Sequence, residues 1–159
     1  MKTLVVYYSR SGHTRRVAEM IARKIGADLQ ELVDRRARGG LVGWLRSGRD
    51  AVKENETELS PLDHRPEDYD LVAVGTPVWA SHPAPAVRTF LRSYDLSGKR
   101  VALFCTMNAR GGEETCAIMK ELLSDGEPAG TLAVAMKKRS AGQLEQRVNE
   151  WAAQLVEKG

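Results

Sequence analysis

Thr3-Leu4-Val5-Val6-Tyr7-Tyr8-Ser9-Arg10-Ser11-Gly12-His13-Thr14-Arg15-Arg16-Val17-Ala18 changes its hydrophobic rhythm once, and that change decides the fold. From Thr3 to Tyr8, β-branched and aromatic residues run almost without interruption, the pattern of a strand covered on both faces. From about Thr14 to Ile25 the apolar residues Val17, Ile21 and Ile25 recur at helical spacing, while Arg15, Arg16, Glu19 and Arg23 mostly face water. The residues between the two patterns leave room only for a short strand-to-helix loop. A buried strand running directly into a helix begins a β-α-β unit, so a parallel sheet sandwiched between helices is expected.

The rest of the chain repeats that alternation. Gly26 ends the helix, and Ala27 to Val33 reads as a second, less hydrophobic strand. A longer excursion follows: DRRARGG, a short amphipathic segment from Leu41 to about Val52 with Leu41, Leu45 and Val52 on one face, then the polar stretch KENETELSP. Leu71 to Thr76, closed by Pro77, is the most hydrophobic strand candidate, and a helix from about Pro85 to Leu91 carries Val87 and Leu91 on its stripe. Arg100 to Thr106, Glu113 to Leu123, Thr131 to Met136 and Gly142 to Val156 then read as strand, helix, strand and helix, the last with a seam of Leu144, Val148, Trp151 and Leu155. Five strands joined by helical crossovers imply a three-layer, doubly wound α/β domain over residues 1–159, with an additional segment at about 34–60.

Composition limits what such a domain does. With 24 Lys and Arg against 21 Asp and Glu, the net charge of +3 is too small to imply nucleic-acid binding. It is unevenly spread: Arg35, Arg36, Arg38, Arg46 and Arg49 crowd one segment, and Lys137, Lys138 and Arg139 form a run. No apolar run approaches the roughly 18 residues that argue for a membrane span. MKTLVVYYS has no small-residue cleavage site, so no export signal is read. Cys105 and Cys116 form no CxxC and read as buried small hydrophobes, which suits a reducing compartment; the cytoplasm is expected. His13, His64 and His82 are too dispersed for a metal site, and Asp63, Glu67 and Asp68 read as a polar approach to a strand. No residue is assigned a catalytic role.

The chemistry concentrates in Ser9-Arg10-Ser11-Gly12-His13-Thr14, where backbone N–H groups become available at a helix start. Its hydroxyls suit an oxyanion cradle, and they equally suit helix capping; the segment alone leaves both readings open. It matches neither the G-x-x-x-x-G-K-[ST] loop of nucleotide hydrolases nor the glycine fingerprint of dinucleotide sites.

YYSRSGHTRRVA resembles the FMN-phosphate loop of flavodoxins, and GTPVWASHPAPAVRTFL resembles that family's second flavin loop with its following helix. The resemblance runs from Met1 through the last helix and implies a five-stranded parallel sheet of order 2-1-3-4-5, an order taken from the family. It assigns Ser9, Ser11, Gly12 and Thr14 to the ribityl phosphate, with contacts from Arg10 and His13. Thr76, Pro77, Val78, Trp79 and Ala80 then border the isoalloxazine ring, with Trp79 as the foremost aromatic contact. Thr106, Met107, Asn108, Ala109, Arg110, Gly111 and Gly112 form the third loop, on the pyrimidine side. The chain departs from the family where it lacks an aromatic between Met107 and Gly112, and where Ala80 and Ser81 stand in place of a frequent glycine.

By this resemblance the protein carries FMN and passes electrons between redox proteins. An alternative is an NAD(P)H-dependent reductase of a quinone or flavin. Because the carboxyl ends of parallel strands share one rim, Lys137, Lys138 and Arg139 are expected beside Arg110, favouring partners with acidic docking surfaces. NAD(P)H as a partner and a homodimer both stay open; nucleic acid and membrane insertion do not.

Overall fold

In the computed structural model, which describes residues 1–36, 45, 49, 56–123 and 125–157, strand β1 (Thr3–Tyr7) is buried along its whole length. Side chains on a strand alternate between faces, so Leu4 and Val6 enter one hydrophobic layer and Val5 and Tyr7 the other. This explains the unbroken apolar run. Helix α1 (His13–Ile25) covers the second face through Val17, Ala18 and Ile21, and ends where Gly26 takes a left-handed φ of 65°.

Strand β2 (Asp28–Glu31) and strand β3 (Leu71–Trp79) flank β1 in parallel, with Leu4 opposite Asp28 on one side and Val72 on the other. A two-residue strand β4 (His82–Pro83) turns back antiparallel on the end of β3. Helix α2 (Pro85–Ser93), strand β5 (Arg100–Met107), helix α3 (Gly112–Leu122), strand β6 (Glu127–Ala135) and helix α4 (Ala141–Glu157) complete the order. The parallel strands run β2-β1-β3-β5-β6, which is the expected 2-1-3-4-5 once the short β4 is set aside. Helices α2 and α3 cover one face, with Phe90, Leu91 and Met119 against Leu4, Val72 and Leu103; α1 and α4 cover the other, with Leu144, Val148 and Leu155 against Phe104 and Leu132.

Three boundaries differ from the sequence expectation for physical reasons. β2 is shorter than Ala27 to Val33, for Ala27 N–H instead closes the helix end by bonding Ala22. β3 runs through Pro77 to Trp79 because β4 pairs with its tip. β6 begins at Glu127, ahead of Thr131: Pro128 and Gly130 resemble a turn in sequence, yet an edge strand tolerates proline, and a register shift opposite Val101 and Ala102 absorbs the irregularity.

The excursion at 34–60 is closed at its base. Arg35 N–H donates to Glu58 O at 2.9 Å, and Ser60 N–H to Val33 O at 3.0 Å. Thr57 then docks on α2, its N–H donating to Thr89 Oγ1 at 2.9 Å. Leu45 and Arg49 are helical and exposed, whereas Leu41, Val52, Arg38 and Arg46 lie outside the described residues, as does the expected shared face.

Candidate functional site

The loop between β1 and α1 is shaped from within. Gly12 takes a φ of 95°, a conformation that favours glycine, and its N–H donates to Ser9 Oγ at 3.1 Å. Ser9 therefore holds the loop's bend, while Ser11 and His13 are exposed at the helix start. Gly12 contributes no side-chain cap, and the first turn of α1 carries no acidic residue. The start of α3 contrasts with it, for Glu113 and Glu114 already answer the positive end of that helix. Thr14 is buried, and its Oγ1 lies 2.8 Å from Thr106 Oγ1, tying the first loop to the end of β5.

The second loop is a tight hairpin in which Val78 pairs with Pro83 and Trp79 with His82. Ala80 and Ser81 sit between them at φ 49° and 62°, both left-handed, as a primed two-residue turn requires. Thr76 secures the hairpin from below: its buried Oγ1 donates to Pro77 O at 2.8 Å and accepts from Ala84 N–H at 2.9 Å. The third loop presses on this hairpin at Gly111, where φ is 91° and an added Cβ would meet Ser81 Oγ at 2.8 Å and Val78 Cγ1 at 3.0 Å. Two loops thus touch at a point where only glycine fits.

Together these segments border a cleft of about 100 Å3, open to solvent on one side. Arg10, Ser11, His13 and Thr14 line it from the first loop, Pro77 and Val78 from the second, and Thr106, Met107 and Asn108 from the third. Among the described residues the wall contains no carboxylate, and its Arg10 favours an anion. The remaining sequence candidates have other places. Ser9, Gly12 and Thr76 shape the loops, Gly111 and Gly112 are buried beneath them, and Ala80, Ala109 and Arg110 are exposed outside the lining. Trp79 is half-buried, edge-on to Tyr8 at a centroid distance of 5.6 Å, with the Arg10 guanidinium carbon 6.0 Å from its ring centre.

Met136 also lines the cleft and was absent from the sequence candidates. The signal that finds it is positional: it follows the last parallel strand, and all such ends meet at one rim. Met136–Lys138 form a single 3-10 turn, after which Arg139 continues; Lys137, Lys138 and Arg139 are exposed. In the other basic cluster, Arg35 is paired with Glu58 at 2.6 Å.

A family model described as Flavodoxin matches residues 2–152. The chain belongs to the flavodoxin family. Among solved structures, this flavodoxin-family chain is similar to a candidate flavoprotein from Bacteroides eggerthii, at 22% identity and a TM-score of 0.82, with 98% of each chain covered. It is similar to a flavoprotein from Lactobacillus acidophilus solved in complex with FMN, at 25% identity and a TM-score of 0.69, covering 95% of this chain and 98% of that one. Oxidised flavodoxin 1 from Bacillus cereus matches at 18% identity and a TM-score of 0.65, with 99% of this chain and 98% of that one covered.

The flavodoxin-family chain also brings its two cysteines together. Cys105 lies near the end of β5 and Cys116 in α3; both are buried, unbridged, with sulfurs 3.6 Å apart. Among the described residues no group of three His, Cys, Asp or Glu is arranged to hold a metal ion, and no helix is long and apolar enough to cross a membrane.

Proposed function

We propose that the protein binds FMN in the cleft and carries electrons between redox proteins. One observation carries the reading: three loops from the carboxyl ends of β1, β3 and β5 converge on one cleft into which the start of α1 opens. The donor set fits a phosphate. Ser11 and Thr14 supply hydroxyls, Arg10 a cation, and the uncapped first turn of α1 backbone N–H groups. Pro77, Val78, Met107 and Met136 supply the apolar wall that a flat ring needs. When bound, FMN supplies the electron chemistry; the chain holds it, limits water and sets the charge around it. The FMN complex of the similar Lactobacillus protein supports the choice of cofactor. Two thiols carried unbridged suit the cytoplasm.

The basic residues Lys137, Lys138 and Arg139, next to Met136, favour an acidic partner surface. A second reading, an NAD(P)H-dependent reductase of a quinone or flavin, is favoured by the exposed third loop, where Asn108, Ala109 and Arg110 put no aromatic cover over the cleft.

Titration with FMN and riboflavin tests the cofactor assignment: FMN is expected to bind more tightly, and equal affinity would remove the phosphate cradle. Thr14→Ala should narrow that preference, a charge-assisted bond being worth about 1.5–3 kcal/mol. Stopped-flow mixing of the loaded protein with NADH, NADPH and acidic redox proteins separates the two readings. Exchange with proteins alone supports the carrier, and saturable nucleotide turnover the reductase.

A further inference from the structure

Cys105 and Cys116 stand in unequal surroundings. Cys105 is fully enclosed, its thiol 3.5 Å from Gly112 O as well as 3.6 Å from Cys116 Sγ. Cys116 forms part of the wall of a groove between α3, β6 and α4, shared with Glu113, Lys120 and Arg147. Among the described residues, the charged groups lining that groove are two cations and one carboxylate, a balance that favours a thiolate at Cys116. The hydrogen bond between the two sulfurs also holds the Cys116 thiol below its ordinary range, against the effect of burial. The same bond, then burial, pushes the Cys105 thiol up. Cys116 is therefore the sulfur that reacts first, and Cys105 the one that follows.

We propose that Cys105 and Cys116 are a peroxide-responsive dithiol whose oxidation to a disulfide fastens the base of the third cleft loop. The Cys116 thiolate attacks one oxygen of hydrogen peroxide and breaks the O–O bond. This leaves a sulfenic acid on Cys116, and the departing hydroxide takes up the thiol's proton to become water. The Cys105 sulfur then attacks the Cys116 sulfur; the S–O bond breaks, and the oxygen leaves with the Cys105 proton as a second water. Two thiols and one peroxide become one disulfide and two waters, the sulfurs giving up the two electrons that the peroxide accepts. Sulfurs at 3.6 Å must close by roughly 1.5 Å to reach disulfide length, a small rearrangement for two side chains.

The position of the pair gives that closure an effect. Cys105 directly precedes Thr106 and Met107, which line the cleft. An added Cβ on Gly112 would stand 2.8 Å from Met107 Sδ and 3.4 Å from Cys105 Sγ, so the first turn of α3 packs on these sulfurs without slack. A disulfide would enclose the whole third loop between its ends. The bridge itself does not depend on the proposed function; its effect on FMN does.

The test treats the full chain, with and without FMN, with hydrogen peroxide, and maps its peptides by mass. The expected product is a Cys105–Cys116 peptide pair two hydrogens lighter than its parts and separated again by dithiothreitol. Methionine oxidation, which adds oxygen, is distinguished in the same map. Cys116→Ser should leave Cys105 reduced, whereas Cys105→Ser should leave a sulfenic acid at Cys116 that dimedone traps. Wild-type thiols that stay reduced while methionines oxidise, or a Cys116 that gains oxygen without bridging, would overturn the proposal; these outcomes need no folded variant. FMN release from the bridged protein should change several-fold, and an unchanged rate would overturn the fastening of the loop. Bridge formation in a protein that never binds FMN would instead overturn the proposed function and leave the dithiol standing.

Discussion

At Gly75 an added Cβ would lie 2.1 to 2.7 Å from three atoms of the Phe104 ring, in the middle of a sheet where neither strand has room to move. Gly75→Ala is expected to destabilise the fold by about 3 kcal/mol through overpacking, read from urea unfolding. Tyr69 makes a different residue-scale prediction. Its hydroxyl donates to Asp28 Oδ2 at 2.7 Å and lies 2.9 Å from His64 Nδ1, tying the start of β2 to the approach to β3. Burial first, then the bond to Asp28, pushes its pKa up to about 12. In the unfolded chain the phenol ionises near pH 10, so the folded state holds the proton more tightly between the two values. Stability should be complete below about pH 10 and fall as pH rises toward about 12; Tyr69→Phe should flatten that slope.

Between residue and molecule stands the β3–β4 hairpin, which carries two left-handed non-glycine residues beside the cleft. Such a conformation strains any side chain with a Cβ, and the clamp of Thr76 to Ala84 together with the press of Gly111 on Ser81 keeps it in place. Ala80→Gly should relieve strain and raise stability by about 0.5–1 kcal/mol, after the entropy that glycine gains in the unfolded chain. A thermal melt checks the direction; a fall in melting temperature would mean that the turn is not strained at this position. No Asn-Gly or Asp-Gly marks this hairpin in sequence, which explains why β4 escaped the periodicity reading.

For the molecule as a whole, the asymmetry of charge around the cleft bears on its partners. Among the described residues the wall has no carboxylate, and exposed Lys137, Lys138 and Arg139 continue from it. Exposed charges are screened over about 8 Å at physiological ionic strength, so added salt should slow electron exchange with an acidic redox protein. Lys137→Glu combined with Lys138→Glu should lower the association rate more than FMN affinity. Stopped-flow rates across a salt series check this, and insensitivity both to salt and to the two lysines would remove the docking rim.

The unbroken run from Thr3 to Tyr8, followed by a helical stripe at Val17, Ile21 and Ile25, was enough to determine a parallel α/β sheet, because side-chain periodicity is local and set by backbone geometry. The same logic put the hydroxyl loop at a helix start and the ends of the strands on one rim. Everything that depended on which distant residues meet was left to the tertiary structure. Thr14 meets Thr106, Trp79 meets Tyr8 and Arg10, Gly111 meets Ser81, Met136 enters the cleft, and Cys105 lies against Cys116. None of these pairings leaves a mark in either partner's neighbouring sequence, since each is fixed by strand order and register, which arise only when the whole sheet closes.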